Sequence, residues 1–383
     1  MRRKEKNSRF KTRRGKLSVI AGILTLAVAV VIVYIFVKGG GKLDLSVLED
    51  IHIGDGAQPS NLFALDADRS EVIAVLDDGF CTAGKLGVTL LDKAGVELHR
   101  DTVPMKKAAV KSAGEYAVVY DIGGRTILVY DTSGMETRIT ASGEIVDASI
   151  NEEGWFTVCA QEGGGFKGTC SVYNKEGEKV FYFDSSTGYL ISAELTKNSK
   201  SVYIMTLTPE GSRILFYNLS SDEEQWSRSL PNEVVFEMKL TQKNGVLAIS
   251  DKAVTALSHA GEQEKILDFE GRYVGGYSVG NNRTIAVMLL DYAVGTKGRL
   301  VTLADDGKIL GTIDVDRRLK DILSAGRYIY VLWAGGFEIY DTKLTEVLQE
   351  GESASAEAFI TRDGKETYLI DGNEAVRIDT GLK

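Results

Sequence analysis

Gly276-Tyr277-Ser278-Val279-Gly280 spells G-x-S-x-G, the arrangement in which a strained strand-to-helix turn presents a serine nucleophile for acyl transfer. The residues that follow, NNRTIAVM, read as a polar turn and a strand rather than a helix, so the match is a strand with incidental glycines. A base would also be needed, and His52, His99 and His259 are scattered without a second or third partner at useful spacing. Asp66-Ala67-Asp68-Arg69-Ser70 sets oxygens at alternate positions, as a calcium loop begins. Glu71 stands where that loop turns on Gly, however, and Asp77 where a bidentate Glu closes it, which leaves an Asx turn. Gly39-Gly40-Gly41 before Lys42 lacks the spacing of a phosphate loop and reads as a flexible linker. These residues assign no catalytic, cofactor-binding or metal-binding position.

Three cysteines are too few for a disulfide framework. Cys159 and Cys170 lie on the two arms of WFTVCAQEGGGFKGTCSVY, a hairpin that can set them face to face across a turn near Gly164-Gly165. They read either as small buried thiols or, in an oxidising compartment, as a bonded pair. Cys81 has no partner near it in sequence and reads as core.

Before these elements comes an apolar run that opens at Leu17 and ends at Val37 (17–37), LSVIAGILTLAVAVVIVYIFV, 21 residues without a charge. That length spans a bilayer as one helix. Residues 1–16 hold nine basic side chains against the single acid Glu5, a flank retained in the cytoplasm, so the chain is expected to run N-in and C-out as a single-pass cell-membrane protein with an extracellular C-terminal domain. A cleaved signal peptide would have a shorter apolar core and a small-residue site, and Lys38-Gly39-Gly40-Gly41-Lys42 supplies no such site. From residue 43 onward, 34 basic and 53 acidic residues leave a charge of −19. Nucleic acid and anionic lipid should be repelled by it, so the bilayer is expected as a partner only through the helix.

The exterior part repeats. An apolar residue, a short polar turn and a run of β-formers recur eight times, as LDADRSEVIAV from Leu65, VKSAGEYAVV from Val110, INEEGWFTVC from Ile150, LTKNSKSVYIM from Leu195, LTQKNGVLAI from Leu240, VGNNRTIAVM from Val279, LSAGRYIYVL from Leu323 and ITRDGKETYLI from Ile360. The starts average about 42 residues apart, the period of a four-stranded propeller blade. Between them falls a second hairpin signature, as in VTLLDKAG, ILVYDTSG, CSVYNKEG and LVTLADDG, where Asx and Gly suit a left-handed turn. Pro104 and Pro231 fall between units, where no ladder bond is lost. The fold class is therefore all-β, an eight-bladed β-propeller of four-stranded blades preceded by one transmembrane α-helix. The last unit has only three clear strands, and an unfilled seam leaves an open edge. SVLEDIHIG (46–54) is expected to supply the missing outer strand. The domains then run as a basic cytoplasmic head over 1–16, the helix over 17–37, a linker over 38–45 reaching at most about 28 Å, and the propeller over 46–383.

The hairpins VYDTSG, VYNKEG and TLADDG resemble quinoprotein-like (PQQ-type) propeller repeats. With a basic head, one anchor helix and an acidic propeller, the chain looks most like the membrane-anchored domain-of-unknown-function 5711 family. The quinone-dependent dehydrogenases that this resemblance brings in carry an adjacent Cys-Cys pair, a Trp in most blades and a catalytic Asp beside a calcium site. Here the cysteines are separated and only Trp155, Trp226 and Trp333 occur, so no cofactor is expected. A binding or scaffolding module for a protein or cell-envelope component is the reading that follows, and an extracellular enzyme with a site in the central channel is the alternative.

Overall fold

Thr284–Leu290, TIAVMLL, is buried at six of its seven positions, whereas Glu97–Asp101, ELHRD, has no fully buried position. The two patterns mark different places in one kind of sheet. A strand covered on both faces by neighbouring sheets reads as a continuous apolar run, and an edge strand alternates with charge. The computed structural model describes residues 62–64, 72–161, 165–221, 223–241, 243–280, 284–361, 366–372 and 374–378. It arranges them as eight antiparallel four-stranded sheets. Seven are consecutive in sequence, spanning 72–101, 108–140, 144–184, 189–231, 235–268, 273–316 and 319–352, with the first strand innermost and the fourth outermost. The chain divides into units 1–58 and 59–383. The first unit, including the expected helix at 17–37 and the linker, lies outside the described residues, and among the described residues no helix is long and apolar enough to cross a membrane.

The hydrophobic core lies between blades rather than inside any one of them. Each of eight apolar clusters is shared by two neighbours: Leu76, Leu90, Val119 and Leu128 join blades 1 and 2, and Ala286, Leu300, Ile329 and Val331 join blades 6 and 7. A fully buried side chain of this size contributes roughly 1.5–3 kcal/mol relative to exposure, so a blade removed from its neighbours loses both of its cores.

The second hairpin signature behaves as its composition requires. Gly95, Gly177, Gly261 and Gly307 adopt φ of 77°, 80°, 81° and 85°, and each donates its N–H three residues back, as Gly95 does to the Asp92 carbonyl at 3.0 Å. The left-handed residue follows a tight turn and displaces the outer strand by one residue, which appears as a register shift at Leu90/Leu91 and at Thr302/Leu303.

The eighth blade is made from both ends of the sequence. Ala358–Thr361, Thr367–Asp371 and Glu374–Ile378 give three strands, and Leu62–Ala64 pairs antiparallel with the third. The chain end therefore does borrow an N-terminal outer strand, but it is 62–64; the expected 46–54 lies outside the described residues, and the place beside Glu374–Ile378 is taken. The repeat assigned from Leu65 is also corrected. Val72–Leu76 is the innermost strand of blade 1, and its hairpin to Gly79–Ala83 turns at Asp77-Asp78. A connection between blades and a hairpin within one both read as an apolar residue, a polar turn and β-formers, so local pattern does not distinguish them. Across the seam, Phe80 and Leu91 of blade 1 pack on Tyr368 and Ala375 of blade 8, with the Phe80 and Tyr368 rings edge-on at 5.3 Å.

Cys159 and Cys170 stand directly opposite each other in neighbouring strands, and both are free and fully buried; Cys81 is fully buried too. Burial first, and then the contact with Cys170, holds the Cys159 thiol well above its ordinary pKa, so it stays protonated and unreactive. The native protein should therefore resist a maleimide at all three cysteines and take up three equivalents once denatured without reductant; recovery of only one would reveal a Cys159–Cys170 bond. A chain starting at Pro59 should melt as the full exterior domain does, whereas one starting at Ser70 should melt at least about 5 °C lower, given about 2–4 °C per kcal/mol at large domain size. Equal melting of the two would remove 62–64 from the closure.

Candidate functional site

The innermost strands surround the centre of the ring, and five of them carry a bulge at matching places: 145/147, 190/192, 235/237, 274/276 and 319/321. A bulge re-aims the side chain that follows it, and here those residues are Asp147, Ser192, Glu237, Gly276 and Asp321. The inner strands thereby gain a belt of polar side chains that bonds blade to blade. Ser112 donates to the Val75 carbonyl at 2.7 Å, linking blades 2 and 1. Lys111 of blade 2 pairs with Asp147 of blade 3 at 2.8 Å, and Tyr120 donates to the same carboxylate at 2.9 Å. Ser149 donates to the Ala193 carbonyl of blade 4 at 2.7 Å, Tyr277 of blade 6 donates to Glu237 of blade 5 at 2.7 Å, and Asp321 of blade 7 accepts the Phe359 N–H of blade 8 at 2.7 Å.

Glu194 differs from the other carboxylates in this belt. It is half-buried and makes no hydrogen bond among the described residues. Burial pushes its pKa up to about 6, against the pull of Lys111 and Lys239 and with the help of Asp147 and Glu237. Those influences come from blades 2, 3 and 5, so Glu194 shares one central space with them. Burial opposes the charge on Lys111, but Asp147 and Glu194 outweigh it and hold the ammonium above its ordinary pKa. The belt can bind a polar ligand through paired charges and can exchange a proton at Glu194 near neutrality. Among the described residues no three His, Cys, Asp or Glu side chains converge on a possible metal position.

The residues that invited chemistry in the sequence are placed elsewhere. Ser278 sits within Tyr273–Val279 and its Oγ accepts the Ser324 N–H at 2.9 Å, so it is a blade-to-blade tie with a strand after it. His99, on an outer strand, lies 3.0 Å from Asp101, and His259, in a turn, packs edge-on against Phe216 at 4.9 Å. His52, Asp66 to Ser70 and Gly39 to Gly41 lie outside the described residues. The belt itself escaped the sequence reading, although a signal existed: a charge sits inside five inner-strand segments, AAVKSA, EIVDASI, YLISAEL, VFEMKL and LKDILSA.

The two faces of the ring also differ. One, the connection face, carries the second-to-third hairpins and the links between blades; the other, the turn face, carries the remaining hairpins. Exposed large apolar side chains crowd the connection face over blades 3–6: Phe166, Tyr189, Phe236, Tyr273, Tyr292 at 69% exposure and Val294 at 91%. Beside the last three opens a cleft of about 430 Å³ lined by Arg272, Lys297 and Arg299 against Asp291, Asp314 and Asp316.

Eight closed four-stranded blades define an eight-bladed β-propeller. Within that class the chain belongs to the family of unknown function DUF5711, which it matches over residues 63–378. Three solved structures are similar to it. BamB from Moraxella catarrhalis shares 15% identity over 82% of this chain and 95% of its own, with a TM-score of 0.52. Sqt1 from Saccharomyces cerevisiae shares 11% over 83% and 98%, with a TM-score of 0.61. The C-terminal WD40 domain of Sif2 shares 10% over 82% and 98%, with a TM-score of 0.58. At these identities the likeness shows the fold alone. No curated protein matches the chain.

The raised pKa of Glu194 gives a signed prediction. Folding favours its neutral form, so its contribution to stability is complete below pH about 4.5 and is lost as the pH rises through about 6. Glu194→Gln should therefore gain on wild type between pH 4 and pH 7.5 by on the order of 2 kcal/mol, measured by urea unfolding at both values. An identical difference at the two pH values would contradict the assignment.

Proposed function

We propose that the protein is a membrane-anchored, extracytoplasmic binding or scaffolding module for a protein or cell-envelope component. The observation that carries this reading is the crowding of exposed aromatic and aliphatic side chains onto one face of the ring. Exposed apolar side chains gathered on one face mark interaction sites, and Tyr, Phe and Trp are enriched at interface centres. The apolar segment 17–37 and the basic head before it support the anchor and the outward direction of the ring. A channel enzyme would have to use Glu194 as its proton-exchanging group, and the neighbouring carboxylates Asp147 and Glu237 are already engaged by Lys111, Tyr120 and Tyr277.

Topology can be tested on the whole protein because its own cysteines are buried. Tyr182→Cys, at a site 66% exposed on an outer strand, should react with a membrane-impermeant maleimide in intact cells. Labelling only after lysis would place the ring inside the cell and end the extracytoplasmic reading.

A further inference from the structure

The connection face is divided by chemistry as well as distinct from its opposite. Its apolar arc covers blades 3–6. Over blades 1 and 2 the same face exposes Lys106, Lys107 and Arg125 beside the apolar tip Leu86, 71% exposed, and over blade 7 it exposes Arg318 and Lys320. On blades 1 and 2 the local acids do little to cancel them, whereas Arg318 and Lys320 stand among the exposed acids Asp316, Glu352 and Glu357. Asp121 is buried, and its Oδ1 accepts the backbone N–H groups of Lys106 and Lys107 at 2.9 and 2.8 Å, which turns the carboxylate inward and leaves both ammonium groups outward. Lys320 reaches the Ala354 and Ala356 carbonyls at 2.7 Å. Glu338 is spent on Arg317, which it grips through both guanidinium ends while Trp333 and Tyr340 donate to the same carboxylate. Although burial opposes it, these bonds hold Glu338 below its ordinary pKa, so the clamp stays ionised. The turn face mixes its signs, exposing Asp77, Asp78, Glu115 and Glu152 together with Lys93, Lys175, Lys197 and Lys243.

A basic sector on a domain whose exterior charge is −19 is selective, because an acidic surface is attracted to this sector and repelled by the remainder. An apolar arc beside it supplies the desolvated contact that charges at a rim do not. Resting on the binding-module reading above, we propose that the connection face docks a protein whose contact surface sets an apolar patch on blades 3–6 and an acidic margin on blades 1 and 2.

The test uses the full-length protein in its own membranes, with a photo-cross-linking amino acid at Tyr292 on the connection face or at Val96 on the turn face. The expected result is a Tyr292 adduct to one protein, identified by mass spectrometry and acidic at the captured site. Its yield should fall at least about tenfold, about 1.4 kcal/mol, when Lys106→Glu, Lys107→Glu and Arg125→Glu are combined in a chain that melts as wild type does. A protein adduct from Val96 alone would overturn this face while keeping the binding module. Lipid adducts at Tyr292 would replace the protein partner with a membrane surface and overturn the proposal, and a protein adduct indifferent to charge reversal would overturn the acidic margin. No adduct from either position would overturn the binding-module reading itself.

Discussion

Closure of the ring is the constraint on which the other features depend. No blade has a core of its own; its second and third strands are buried because another blade lies against each face. Such an arrangement has no stable end, since a terminal blade would expose an apolar sheet face as well as a strand edge. The protein resolves this by pairing Leu62–Ala64 with Glu374–Ile378 and packing Phe80 on Tyr368. The seam is where residues farthest apart in sequence must meet, and loop-closure entropy opposes it before contact energy repays it.

The polar belt follows from closure. Eight inner strands around one axis bring charged side chains from separate repeats into one small space, where they must be paired or neutralised. Lys111 with Asp147, and Tyr277 with Glu237, achieve the first; Glu194 moves toward the second by holding its proton to higher pH. The same contacts tie neighbouring blades, so the belt is structural before it is anything else. Glu194 is the member with capacity left for a ligand or a proton.

The disc faces carry the recognition chemistry. Hairpin tips such as Tyr292 and Val294 contribute nothing to the inter-blade cores, and an exposed apolar tip is disfavoured unless something covers it. Because every second-to-third hairpin emerges on one side, residues from distant repeats combine into a single surface whose apolar and basic sectors occupy different blades. The Glu338 clamp shows how finely that surface is set: it fixes Arg317 and so neutralises one cation while Arg318 next to it stays exposed.

Local chemistry was legible in the sequence wherever a few adjacent residues decide the outcome. The Gly-ended hairpins DKAG, NKEG, SHAG and ADDG required a left-handed residue, and Gly95, Gly177, Gly261 and Gly307 adopt that conformation; the strand count, the blade period and the need to borrow an outer strand followed. The apolar segment 17–37 and the basic head were likewise read from composition alone. Which N-terminal strand closes the ring, and where the first repeat begins, were not legible, because a blade connection and a hairpin share one pattern and only pairing with a distant strand separates them. The polar belt and the divided face belong entirely to the tertiary structure. Lys111, Asp147, Glu194 and Glu237 lie roughly one blade apart in sequence, each an ordinary charge in its own strand, and they become neighbours only when the ring turns their strands toward a common axis.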